Sequence, residues 1–350
     1  PEGEYLAEGY LDNDAYIIDE PVKVRVKVTV RASRVEIDLT GSSPQRPGCT
    51  NCGFAQTISA ARLAYKFLIN PDQSPNGGHL RALTVRAPAR SIFAAEEPAA
   101  CMFYGPALGL MIELVLKALS QVLPERVPAG QPADQMNFQM AGWLTNGKMF
   151  HTGEASAVGW GASYSADGEN ATVNYMAGDL LNLPAEVEEA KYPLRVTRRG
   201  LAVDSGGAGK FRGGLAMIKE YVPLAPGPRL SLWLERTVTP AWGLHGGSAG
   251  KTAHCIVDPG GPSERLLKKV NHLPVVPGTV IRCITAGGGG YGRPWERREE
   301  DVQMDVLSGY VSTKEAEVTY GVRLKNDGLE IDWDKTNLAR AEIKRNSTEM

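Results

Sequence analysis

Val22, Val24, Val26, Val28 and Val30 alternate with Lys23, Arg25, Lys27 and Thr29. A period of two places every valine on one face of a strand and the polar side chains on the other. Val35, Ile37 and Leu39 alternate with Glu36 and Asp38, which predicts a return strand. A turn over 31–34 sets Val30 against Val35, Val28 against Ile37 and Lys27 against Asp38. A slip of one residue loses all three matches.

Further on the period lengthens. Ile58, Ala61, Tyr65 and Leu68 recur at spacings of three and four, the signature of a helix, and Asn70-Pro71 ends it. Between Ala107 and Leu123 nearly every position is apolar, so this helix is predicted to be buried on all sides and stopped by Pro124 and Pro128. From Asn137 to Cys283 the pattern breaks into short strands between glycine-rich turns, with Ile256-Val257 and Thr279–Ile284 the clearest. Ser312 and Glu315 form a capping box, and Gly309 and Gly321 stand where helix C-terminal glycines belong. The polar stretch after Asn326 is expected to fray at its end. The expected class is α+β: a strand-rich mixed fold with an N-terminal antiparallel hairpin, a buried helix near 107–123 and a short helical C-terminal tail. A core over 1–296 and a tail over 297–350 are the expected units.

Composition narrows the function more than the fold. The net charge of −2 gives no general attraction to nucleic acid or anionic membrane. The most apolar stretch carries Glu113 and Lys117 and is too short and too charged for a membrane span. No secretory leader precedes Glu2-Gly3-Glu4, so the cytoplasm is the expected compartment. Five cysteines are an odd number in a long chain, which argues against a disulfide scaffold. Cys49 and Cys52 form one C-x-x-C without the second pair a structural zinc site needs, so two loop thiols are expected there. No two of the five histidines lie at metal-binding spacing on a local strand or helix.

Thirty-nine glycines, clustered rather than scattered, are the unusual feature. Gly246–Thr252 ends like a phosphate loop, but His245 holds the first glycine's place and strand-like Ala253–Val257 follows where a helix is required. No nucleotide is expected there. Asp204–Gly214 offers backbone N–H groups beside Lys210 and Arg212, either as an anion site or as a structural turn whose cations pair with Asp204 and Glu220. Gly287–Gly290 has no side chains for chemistry and reads as backbone meeting backbone. The acidic run Glu186, Glu188 and Glu189 suits a helix start. Cys101-Met102-Phe103-Tyr104-Gly105 has the aromatic, apolar character of a pocket wall, and Trp160 between two glycines reads as an exposed aromatic at a pocket.

Taken in order, these segments resemble the second half of the hydantoinase B/oxoprolinase family. The matching pieces are Asp38–Gln45, Gly159-Trp160-Gly161 with Asp167-Gly168, Asn182–Glu186, Tyr192-Pro193-Leu194, Asp204–Gly214, Glu235-Arg236-Thr237, Gly287–Gly292 and Tyr320-Gly321-Val322. The resemblance implies a multi-subunit, ATP-dependent enzyme that opens a cyclic amide such as a hydantoin, a lactam or oxoproline. A ketone carboxylase of the acetone or acetophenone type is the alternative, and a non-catalytic scaffold subunit a second. It also implies ATP bound by a hydantoinase A-like partner, which phosphorylates the substrate oxygen. A divalent metal such as Mn, Zn or Mg then supports attack. The family's His-Ala-Asp-type metal motif does not occur in this sequence. The ligands are therefore expected on a chain carrying the N-terminal half of the hydantoinase B-like polypeptide, and none within this one. Beginning at Pro1, the chain reads as a split-gene product, a cleaved fragment or a partial polypeptide, expected to be inactive alone. The candidate catalytic residues are Asp179, Asn182, Asp204, Glu235 and Arg236. Tyr104, Trp160, Lys210 and Arg212 are the candidates for substrate binding.

Overall fold

The computed structural model describes residues 1–175, 177–178, 181–326 and 330–348. Strands β1 (Gly3–Leu11), β2 (Val22–Arg31), β3 (Arg34–Asp38) and β4 (Leu83–Arg86) form one sheet in that order. β2 and β3 pair antiparallel with Val30 opposite Val35, Val28 opposite Ile37 and Lys27 opposite Asp38, the register the alternation predicts. The valine face is buried under α1 (Phe54–Leu68) and α2 (Gly105–Leu119), whose apolar residues join it in one cluster. Gly9 lets α2 approach β1, since a Cβ there would stand 3.2 Å from Leu110 and Leu114. On the opposite face Lys23 pairs with Glu8 at 2.9 Å.

Two elements of this layer depart from the sequence reading. β1 lies ahead of the expected hairpin and pairs with β2 along its whole length. Its inward Ala7 and Leu11 alternate with outward Leu6 and Tyr10, so both faces carry apolar residues and no period of two stands out. Helix α2 ends at Leu119, one turn earlier than the prolines require, where the Ser120 hydroxyl donates to the Lys117 carbonyl at 2.7 Å.

The second layer pair is antiparallel throughout. β5 (Asn137–Trp143), β6 (Met149–Ala155), β9 (Arg229–Trp233) and β12 (Val270–Pro274) form a sheet in the order β12-β9-β5-β6. β7 (Leu194–Leu201), β8 (Met217–Pro223), β10 (His254–Val257), β11 (Arg265–Leu267) and β13 (Ile281–Ile284) form the other, ordered β11-β10-β13-β8-β7. Their apolar faces share a second cluster, in which Phe138 stacks on Tyr221 at 4.3 Å. Helix α3 (Ala185–Lys191) precedes β7. Glu188 on it is buried and pairs with Arg199 at 2.9 Å, a stronger reason for an acid there than the helix dipole.

The tail is more ordered than its polarity suggests. It contains α4 (Glu299–Leu307), α5 (Thr313–Val318), the short β14 (Leu324–Lys325) and β15 (Glu330–Ile331), and α6 (Trp333–Thr348). The Ser312 hydroxyl caps α5 by accepting the Glu315 N–H at 3.1 Å. Arg297 holds the tail to the body through Asp167 at 2.6 Å and Asp305 at 2.9 Å.

Between the two larger layers lies a bundle of extended glycine-rich segments that hydrogen-bond to one another. Gly288 N–H donates to Gly214 O at 3.0 Å, Gly207 N–H to Gly288 O at 2.8 Å and Gly214 N–H to Trp160 O at 2.7 Å. Backbone packs on backbone so closely that a Cβ at Gly213 would fall 2.0 Å from Gly288 O. The glycines are required by their own chain. The loop at 246–252 belongs to this bundle: a Cβ at Gly247 would meet Gly290 O at 2.2 Å, which leaves no cradle for a phosphate.

Candidate active site

A pocket of about 570 Å³ opens between the start of α2, the exposed side of α1 and the irregular segment leading into β5. Met102, Phe103 and Tyr104 form one wall, as their aromatic character predicts, and Asp134, Gln135 and Asn137 form the facing one. The position of the second wall is dictated locally. Gly109 of α2 allows the Ala133 carbonyl to within 2.8 Å of where a Cβ would be, and Gly130 N–H donates to Trp242 O at 2.8 Å. The segment is thus pinned between α2 and the glycine bundle.

Asp134 is the pocket's buried carboxylate. Its Oδ2 accepts the Glu235 backbone N–H at 2.8 Å, and the Gln135 backbone N–H also faces the carboxylate, whose Oδ1 is closed off from solvent. Burial raises its pKa above the usual aspartate value. The side-chain amides of Gln135 and Asn137 line the same cavity, where they can donate and accept hydrogen bonds together.

Behind Asp134 runs a charged chain. Glu235 is buried, and its two oxygens bind the Lys269 ammonium and, at 2.8 Å, the Asp12 N–H. Lys269 also donates to Asn13 O at 2.7 Å. Burial pushes the Glu235 carboxyl up to about 7 against the pull of Lys269. Asp12 completes the chain by accepting from the Thr237 N–H at 2.8 Å and hydroxyl at 2.7 Å. Arg236 takes a left-handed backbone (φ 63°) and donates to Pro132 O at 2.7 Å, so it braces the Asp134 segment from behind.

A second buried acid, Glu113 on α2, accepts the Gln131 N–H at 2.9 Å and lies beside Tyr175, which lines the pocket. Burial pushes its carboxyl up to about 7, with Arg236 pulling the other way. A carboxyl whose folded pKa exceeds its unfolded value favours the fold while protonated, and that contribution is lost between about pH 4.5 and 7. Glu113→Gln keeps the protonated form's shape at every pH. Between pH 4.5 and 8 its stability relative to the wild type is therefore expected to rise by about 3 kcal/mol. Denaturant unfolding of both proteins across that range checks it, and a difference independent of pH would show that the carboxyl titrates normally.

The remaining sequence candidates disperse. Asp179 lies outside the described residues. Asn182 is exposed and accepts from the Lys219 ammonium at 3.3 Å, at a neighbouring pocket that Trp160 also lines. Asp204 has φ 60° and accepts the Ser312 N–H at 2.7 Å, which makes it an anchor for the tail. Lys210 is exposed over the Phe211 ring. Arg212 is buried against Asp305 at 3.4 Å, with its backbone N–H on Asp167 at 2.7 Å. The expectation that Asp204 and Glu220 neutralise this loop's cations is corrected by that geometry: Asp305 of the tail does so for Arg212. Neither Lys210 nor Arg212 lines the pocket.

Over residues 1–294 the chain matches the profile of the hydantoinase B/oxoprolinase family. It belongs to that family. A provisionally named B-type subunit of a D-/L-hydantoinase from Pseudomonas sp. (strain NS671) is 32% identical, the match covering 97% of this chain and 59% of the relative. The crystal structure of the ATP-dependent caprolactamase from Pseudomonas jessenii superposes with a TM-score of 0.84 at 25% identity, over 97% of this chain and 60% of that one. A nucleotide-free acetone carboxylase superposes with a TM-score of 0.85 at 20% identity, over 100% of this chain and 53% of that one, and shares the fold. The chain thus spans about 60% of the hydantoinase and caprolactamase relatives' length.

This hydantoinase B/oxoprolinase chain places its pocket on residues that sequence patterns do not flag. Asp134, Gln135 and Asn137 sit in no motif, and Lys269 is 34 residues from its partner Glu235. Only the aromatic wall and the Glu235-Arg236 pair are legible in the sequence. Among the described residues, no three His, Cys, Asp or Glu side chains stand close enough to hold a metal ion. Asp134 lacks companion donors, so the donor set here does not fit a metal centre.

No helix among the described residues is long and apolar enough to cross a membrane.

Proposed function

We propose that this chain is the substrate-holding part of a B-type subunit in an ATP-dependent cyclic-amide hydrolase, with the ring seated between Tyr104 and the Asp134–Asn137 wall. ATP is bound by an A-type partner that phosphorylates the amide oxygen, and a polypeptide corresponding to the rest of the relatives' length supplies the metal ligands. The observation that carries the reading is the aromatic Phe103–Tyr104 wall in one pocket with the side-chain amides of Gln135 and Asn137. A ring amide fits it: the ring N–H donates to the Asn137 side-chain oxygen, and the ring carbonyl accepts from the Gln135 side-chain NH₂. Phosphorylation of that oxygen activates the ring carbon: water adds to it, the ring C–N bond breaks with the nitrogen leaving as the amine, and the acyl phosphate that remains is hydrolysed to carboxylate and phosphate.

A ketone has no N–H for the Asn137 oxygen and would leave that acceptor unsatisfied, at a cost of roughly 1–3 kcal/mol, and this weighs against carboxylation. Asn137→Ala in the assembled complex is expected to weaken cyclic-amide binding about 10-fold, the worth of one hydrogen bond. ATP turnover with a panel of lactams, hydantoins and ketones plus bicarbonate tests it. Turnover with ketones alone, or cyclic-amide affinity unchanged in Asn137→Ala, overturns the proposal; the latter result would favour a scaffold role.

A further inference from the structure

The core between the two antiparallel sheets holds a pair of sulfurs that the cyclic-amide chemistry does not use. Cys255 on β10 and Cys283 on β13 are free thiols, buried to 0% and 2% exposure. The antiparallel register sets them directly opposite each other, and their sulfurs lie 3.1 Å apart. The ladder decides which kind of opposed pair they form. Three steps along it, the Asp258 N–H donates to the Val280 carbonyl at 2.8 Å, so that pair is hydrogen-bonded. Bonded and non-bonded pairs alternate, which makes Cys255–Cys283 a non-bonded pair, the kind whose α-carbons stand only about 4.5 Å apart. A disulfide spans about 4.4–6.8 Å between α-carbons. The two strands therefore already hold these residues within its reach.

Their surroundings direct each sulfur to the other. Among the described buried residues of this core they are the only thiols. Leu267 of β11 lies opposite Cys255, and Lys219 of β8 lies opposite Cys283 with its ammonium committed to Glu154 at 2.5 Å. The hydrogen bond to Cys283, together with burial, holds the Cys255 thiol well above its ordinary range, so Cys255 keeps its proton until the second step.

We propose that Cys255 and Cys283 are a peroxide-oxidisable pair whose disulfide fastens the chain segment between them. A peroxide transfers one oxygen to the Cys283 sulfur, giving a sulfenic acid and one water. The Cys255 sulfur then attacks that sulfur; the S–S bond forms, the S–O bond breaks, and the oxygen leaves as a second water with the Cys255 proton. Both sulfurs are oxidised and the peroxide is reduced. A small, uncharged oxidant suits a closed site, because it enters by local opening at the three-residue β11 edge. The segment so fastened carries β11 and β12, each an edge strand with one neighbour, and Lys269, whose ammonium balances Glu235 behind the pocket. Its hold on β9 is interrupted by a bulge between Val270 and Leu273. A bond across its base restricts the unfolded segment and so stabilises the folded one.

The test treats the folded full chain with hydrogen peroxide, alkylates it in denaturant and maps the tryptic peptides by mass. Cys255 and Cys283 fall in separate peptides, 252–265 and 283–297, so a bond between them reads as one joined mass. The joined peptide is expected, dithiothreitol should split it, and the oxidised chain should melt about 5 °C above the reduced one. In Cys283→Ala both the joined peptide and the rise should vanish, the rise being measured against that variant's own reduced form. The wild-type map decides the bond even where that variant does not fold. Free, alkylated Cys255 and Cys283 after Cys49 or Cys101 has reacted would overturn the pair. So would sulfinic acids at either position without a joined peptide, or a bond from either to another cysteine. A joined pair that melts with the reduced chain overturns the fastening.

Discussion

Gly288→Ala is expected to lower the stability of the fold by about 4 kcal/mol or more, in the range reserved for severe core lesions, whereas Gly200→Ala should change it by less than about 1 kcal/mol. A methyl group on residue 288 would sit 1.9 Å from the Trp160 carbonyl oxygen and 2.2 Å from its carbon. These are backbone atoms and cannot rotate aside as a side-chain tip can. Nor can residue 288 retreat, because its N–H and its carbonyl are both engaged, with Gly214 and Gly207. Relief requires several glycine segments to part together, and each parting breaks hydrogen bonds between backbone groups. Gly200 in β7 provides the control, since no described atom lies within 4 Å of its would-be Cβ. There alanine merely restricts the unfolded chain and suits a strand slightly better. Denaturant unfolding of the two variants beside the wild type decides the matter. Equal stabilities would mean that the glycine segments are loosely associated and that their packing does not define the fold.

The same bundle shows what can and cannot be read from the sequence. Glycine runs announce close backbone approach without saying what approaches, and a partner chain would satisfy them equally well. Here Gly207, Gly213, Gly214 and Gly288 approach one another, so their clustering gives no argument for another subunit. Exposure of the Val22–Leu39 sheet gives none either, since α1 and α2 of the same chain cover its valine face. The β2–β3 register is legible because alternating burial and one cross-strand charge pair fix it locally. β1 is hidden because Leu6 and Tyr10 put apolar groups on its solvent face. The site divides along the same line. Met102, Phe103 and Tyr104 are contiguous and can be recognised by character. Asp134 is a single acid in an otherwise ordinary stretch, and only folding against α2 and Glu235 makes it a buried carboxylate in the pocket wall. The partner of Arg212 escapes a local reading because Asp305 is 93 residues away in the tail.

Glu235→Gln and Lys269→Met should each destabilise the protein by about 3–5 kcal/mol, and the double variant by clearly less than their sum. Each single change strands one charge. In Glu235→Gln the Lys269 ammonium keeps the Asn13 carbonyl but loses the carboxylate that balances it. In Lys269→Met the Glu235 carboxylate keeps the Asp12 N–H, with the Asp12 side chain adding repulsion. Removing both charges leaves a neutral amide that still accepts from Asp12 and a thioether of similar length in place of the lysine stem. Neither member of the pair then carries a charge. Burial has already raised the carboxyl to about 7, so the charged pair forms fully only above neutrality. The penalty for Lys269→Met should therefore shrink as the pH falls towards 7, because the variant's unpaired Glu235 takes up its proton at a higher pH than the wild type's. The penalty for Glu235→Gln should instead grow as the pH falls from 7 towards 4.5, because the wild type gains the stability of its protonated carboxyl there and the glutamine does not. A double-mutant cycle measured by urea unfolding at pH 6 and pH 8 reads both effects. Coupling that is below about 0.5 kcal/mol at pH 8, or that grows towards pH 6, would show that the two groups do not sustain each other as a buried pair.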